Sequence, residues 1–134
     1  MYEDVLDAVV EMVQQNTTYA VVVGGNPTKE SIAVTGFSTA DTTNLDRDTL
    51  QTYDITINGK SEDQQALLKE LSSIHRKLTL RKSFPHSDKW QIISIDTTAS
   101  PRLLGLEDAE RNRYLYGSGI TVKFYALGVK GEQT

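Results

Sequence analysis

Apolar and polar residues recur with two different periods along this chain. Between 62 and 78, EDQQALLKELSSIHRKL, the residues Leu67, Leu71, Ile74 and Leu78 fall at spacings of four, three and four, with Leu68 and His75 widening the stripe. That period predicts an amphipathic helix. Ser61 and Gln64 fit a capping box ahead of it; Glu62 and Asp63 stand where the helix dipole favours acid, and Arg76 and Lys77 where it favours base. A helix this short is marginal alone, so its apolar face must lie on a neighbour. The flanking stretches supply one. Residues 51–57, QTYDITI, place Tyr53, Ile55 and Ile57 on one side and polar residues on the other, the pattern of a half-buried strand. A turn is expected over 58–61, NGKS. Beyond the helix, residues 90–96, WQIISID, predict a strand apolar on both sides and therefore central in its sheet.

The rest of the chain fills in around this unit. A first helix is predicted over 4–15, with Val5, Leu6, Val9, Val10 and Val13 at helical spacing, Met12 beside them and Asp4 as N-cap. Its valines make it dependent on packing. Residues 19–23 read as a strand, Gly24-Gly25-Asn26-Pro27 as a turn, and 31–37 as an alternating strand. The two strands are candidates for a hairpin, though the pattern also allows pairing elsewhere in the sheet. Residues 38–50 form a polar loop of a length usually reserved for binding. Pro101 is expected to limit the second strand, with a joint over 101–105 and a short helical turn over 106–111. A last strand is predicted over 113–127, bent or bulged at Gly117-Ser118-Gly119, before a frayed tail at 128–134. The sum is a single α+β domain over 1–134: a small mixed, mainly antiparallel sheet backed by two helices.

Composition narrows what such a domain does. With 134 residues, a core can form without covalent staples. The absence of cysteine removes disulfides, thiolate metal sites and cysteine nucleophiles, and suits assembly in a reducing cytoplasm. The opening residues carry four acids within the first eleven and no basic run, so no signal peptide is expected. No apolar stretch approaches the length of a membrane span. The net charge of −4 conceals a split: residues 1–54 hold nine acids and two bases, residues 55–134 nine acids and twelve bases. Bulk nucleic-acid binding is disfavoured by the overall balance. Segregated charge instead suits complementary contacts between copies of the chain or with a partner.

No motif marks an enzyme. The turn after residue 23 has neither the P-loop spacing nor the dinucleotide glycine pattern, despite the nearby Lys29. Ser83-Phe84-Pro85-His86-Ser87-Asp88 gathers serine, histidine and aspartate in six positions, but a triad depends on geometry that such crowding rarely achieves. His75, on the rim of the helix stripe, reads as a packing histidine. Asp41, Asp46 and Asp48 lack the glycine and terminal glutamate of a calcium loop. No cofactor or metal is expected. The residues that stand out belong to surface: Asp41, Asp46, Arg47 and Asp48 in the long loop, and Arg76, Lys77, Arg81, Lys82, Phe84 and Lys89 in the most basic stretch, where 76–89 holds five bases against one acid.

The order of elements, together with Gln51-Thr52-Tyr53-Asp54-Ile55, Leu71-Ser72-Ser73-Ile74-His75 and Pro101-Arg102-Leu103-Leu104-Gly105, resembles the small minor capsid proteins of long-tailed phages and prophages, a group similar in turn to the tail terminators. The likeness runs over about residues 1–127. It implies a tail-terminator-like fold and a structural protein of the virion's head–tail joint, assembled in the host cytoplasm. Its copies would form a ring, commonly of six, that caps the tail tube and docks the head-side connector, with DNA passing the lumen where the basic stretch would meet it. The long loop at 38–50 exceeds what the simplest version of that fold needs. The alternatives are a stand-alone protein-binding module and a small hydrolase or ligand-binding domain.

Overall fold

The computed structural model describes residues 2–24, 30–38, 49–107 and 113–126. In chain order these form α1 (Tyr2–Gln14), β1 (Val21–Val23), β2 (Ser31–Ser38), β3 (Thr49–Ser61), α2 (Gln64–Thr79), β4 (Trp90–Glu107) and β5 (Arg113–Ala126). The strands make one sheet in the order β1-β2-β3-β5-β4, with β1 parallel to β2 and the other pairs antiparallel. It is a small α+β domain whose mixed, mainly antiparallel sheet is backed by two helices. α1 lies against β1 and β2, whereas α2 lies against β3, β5 and β4. Parts of the expected turn at 24–27, loop at 38–50 and helical turn at 106–111, and all of the tail at 128–134, lie outside the described residues, as do Asp41, Asp46, Arg47 and Asp48.

One core joins both helices to one face of the sheet. α1 contributes Val5, Val9, Met12 and Val13; α2 contributes Leu67, Leu71, Ile74 and Leu78. From the sheet come Ile32 and Val34, Tyr53, Ile55 and Ile57, Trp90, Ile92 and Ile95, and Ile120, Val122 and Phe124. These residues share a face because the β3–β5 register is unbroken, pairing Tyr53 with Val122 and Ile55 with Ile120. Ser118 falls on the same face, and its hydroxyl is satisfied by donating to the Ile57 carbonyl at 2.5 Å. No bulge interrupts β5 against β3 at Gly117-Ser118-Gly119, contrary to the expectation from those glycines.

The irregularity belongs to β4 instead. Its 18 residues pair with the 14 of β5 through four register shifts, each inserting one residue into β4. The first shift, between Ile92 and Ser94, makes Ile93 the extra residue. It turns outward, 40% exposed, while Trp90, Ile92 and Ile95 stay on the core face. The run that looked apolar on both sides is thus a one-sided strand with a bulge in it, and β4 is an edge strand, not a central one. Pro101 does not end it. A proline lacks an N–H, and an edge position at a bulge, here between Ala99 and Arg102, is where a strand tolerates that. The stretch Pro101 to Gly105 is accordingly strand, not a joint.

Five other expectations change. β1 and β2 run parallel, because the Ile32 N–H bonds the Ala20 carbonyl at 2.7 Å and the Gly24 N–H bonds the Val34 carbonyl at 3.2 Å. Gly24 ends β1 at φ +101°, a left-handed conformation natural only to glycine. Residues 58–61 extend β3 rather than turning. The cap of α2 is therefore Asp63, not Ser61: the Asp63 carboxylate accepts the Ala66 N–H at 3.0 Å, while the Ser61 hydroxyl accepts the Asp63 N–H and donates to Glu30. Leu68 lies off the buried stripe, 39% exposed. At the other helix α1 starts two residues before Asp4, which falls in its first turn rather than at its cap.

Candidate interaction surfaces

The basic stretch begins on the last turn of α2. Leu67, Leu71, Ile74 and Leu78 turn inward, which leaves Arg76 and Lys77 exposed at the end where the helix dipole favours cations. The Leu80 N–H closes the helix on the Arg76 carbonyl at 3.0 Å, and the Leu80 side chain is 70% exposed. The link to β4 is then held by short contacts: Arg81 Nε donates to the Ser83 carbonyl at 3.0 Å, Ser87 N–H to the Trp90 carbonyl at 2.8 Å, and Lys89 N–H to the Ser87 hydroxyl at 3.1 Å. His86 bridges to Gln91. Phe84, expected on the contact surface, is half-buried against the core and acts as the anchor of the link. Arg76, Lys77, Lys82 and Lys89 are exposed, and Arg81 is partly so. A shallow cleft of about 420 Å³ runs beside them, lined by Lys82, Ser83, Phe84, His86, Gln91, Ile92 and Ile93.

A second charged surface was not singled out by the sequence reading. α1 carries four acids and no base, and with Val5, Val9, Met12 and Val13 inward, Glu3, Asp4, Asp7 and Glu11 all face out. Helical geometry would have located it, since Glu3, Asp7 and Glu11 are spaced by four.

The sheet's other face carries no helix among the described residues. Here the bulged half of β4 leans over β5 and closes one side of a groove of about 570 Å³. Asp54, Thr56 and Asn58 of β3 line it with Thr98, Arg102 and Leu104 of β4 and Thr121 of β5. Thr121 donates to Asp54 Oδ1 at 2.6 Å. Leu104 sits so close over Gly117 that a Cβ there would lie 2.8 Å from its Cδ1. The groove was not legible beforehand, because it exists only once β4 continues past Pro101.

Neither histidine lies in an enclosed polar cleft of the described structure. His75 is 5% exposed; its Nδ1 is 2.8 Å from the Thr97 hydroxyl, and its Nε2 is buried without a partner. Burial holds its pKa below the usual 6.5. Among the described residues no group of three or more His, Asp or Glu side chains is placed to hold a metal ion. None of the helices among these residues is long and apolar enough to cross a membrane.

Fold and surfaces define a small α+β domain that exposes two oppositely charged patches and a grooved, hydroxyl-rich sheet face. No protein-family model matches the chain, and no curated protein matches it in sequence.

Proposed function

We propose that this chain is a structural protein of the head–tail joint of a long-tailed phage or prophage, a tail terminator whose copies surround the end of the tail tube. The reading draws on the resemblance carried by residues 51–55, 71–75 and 101–105 and by the order of elements. The observation that carries it is the separation of charge onto two exposed surfaces, an acidic helix and a basic link, in a domain whose polar sheet face carries no helix among the described residues. Such surfaces suit packing between protein chains. In this role the subunits form a ring, six-fold as the family resemblance implies, which stops tube growth and presents a surface to the head-side connector. The basic link is the part that would meet DNA if it faces the lumen. The test is electron microscopy of particles made without the protein. Tails of uncontrolled length, separate from full heads, are the expected result; normal tails joined to heads would refute the reading.

A further inference from the structure

The two charged patches lie at opposite lateral edges of the sheet. α1 covers the β1–β2 end, and the link from α2 enters β4, the strand at the other end. Glu3, Asp7 and Glu11 are like charges four residues apart on one helix, an arrangement that destabilises an isolated helix. Among the described residues none of the three has a basic partner, nor do Arg76, Lys77 and Lys82 have an acidic one. Within one copy the two sets stand on different elements, the acids on α1 over β1 and β2, the bases on the last turn of α2 and its link to β4.

We propose that the acidic face of α1 docks on the basic surface around Arg76, Lys77 and Lys82 of a second copy of this chain. The occupant is chosen by charge complementarity: each patch is the other's counterpart in sign, and both are exposed. Because the two patches differ and sit on opposite edges, the contact is heterologous. Each subunit gives its α1 to one neighbour and receives the α1 of another, so the contact propagates around a ring or along a filament and does not stop at a dimer. This deepens the head–tail joint reading, which supplies the reason for a ring, and names the surfaces through which its subunits would meet.

Charge reversal tests it. One variant carries E3K, D7K and E11K; the other carries R76E, K77E and K82E. All six positions are exposed, so folding is checked by circular dichroism and is expected to be retained. Sedimentation velocity at high protein concentration in dilute salt should show wild-type oligomers that dissociate near 0.5 M salt, since screening shortens to about 4–5 Å there. Each variant alone should be monomeric. An equimolar mixture of the two should assemble again, because both contacts in an alternating array then pair opposite charges. A wild-type chain that stays monomeric, or oligomers that survive either reversal, would overturn the proposed contact. Neither result touches the joint reading, which rests on the particle microscopy.

Discussion

His75 offers the sharpest quantitative test of the packing between α2 and β4. It is buried in the stripe that holds α2 to the sheet, with one partner, Thr97, and an unpartnered Nε2. Burial disfavours the imidazolium, so the folded chain binds this proton less readily than the unfolded chain, whose imidazole titrates near 6.5. The sign follows from linkage. Stability is full above 6.5, falls as pH drops through it, and levels off only once the folded form also protonates. For a single group the slope cannot exceed about 1.4 kcal/mol per pH unit. Replacing His75 with Leu removes both the titration and the unpartnered nitrogen. Thr97 is solvent-exposed and can pass its hydroxyl to water, so its lost contact costs little. A buried polar atom left unpaired costs about 1–3 kcal/mol, so His75→Leu at pH 7.5 should be neutral or stabilising despite the change of shape. Urea unfolding of both proteins at pH 7.5, 6.5 and 5.5 measures the rest. The advantage of the Leu variant should widen by up to about 1.4 kcal/mol between pH 6.5 and 5.5. Replacing the exposed His86 with Gln controls for general effects of losing a histidine. Parallel pH curves for wild type and His75→Leu would refute the argument.

Other perturbations probe different parts of the fold. At Gly59 a Cβ would lie 2.5 Å from Cδ1 of the fully buried Leu67, so Gly59→Ala should lower stability by about 1–3 kcal/mol in thermal or urea melts. Asp63→Ala removes the cap of α2 and should cost about 1 kcal/mol, whereas Ser61→Ala leaves that cap in place and tests the Asp63 assignment by comparison. Leu71→Ala opens a cavity under α2 at a position with no solvent exposure and should cost about 2–5 kcal/mol by urea unfolding. Gly117→Val should displace Leu104 and reshape the groove on the open sheet face, read as a change in the Leu104 methyl resonances with smaller shifts elsewhere.

Both helices and most strands were legible from single residues in single segments. The inward stripe of α2 could be read from Leu67, Leu71, Ile74 and Leu78, and the buried side of β3 from Tyr53, Ile55 and Ile57, because a helix or strand sorts its own side chains by period. Of the candidate surface, Arg76, Lys77, Lys82 and Lys89 are exposed, and Phe84 is half-buried against the core. What stayed hidden depended on partners distant in sequence. Whether β1 would run parallel or antiparallel to β2 is decided by which carbonyls Ile32 and Gly24 reach, and no local pattern encodes that. Ser61 and Asp63 are both good caps, and only the length of β3 chooses between them. An apolar run such as Ile92-Ile93 reads the same in a central strand and in a bulged edge strand; the four residues that β4 inserts against β5 become visible only when the two strands lie side by side. The acid and base contents of this chain are likewise properties of its sequence. That they stand at opposite edges of one sheet is a consequence of strand order, because segments far apart along the chain become neighbours or strangers only through the pairings that tertiary structure makes.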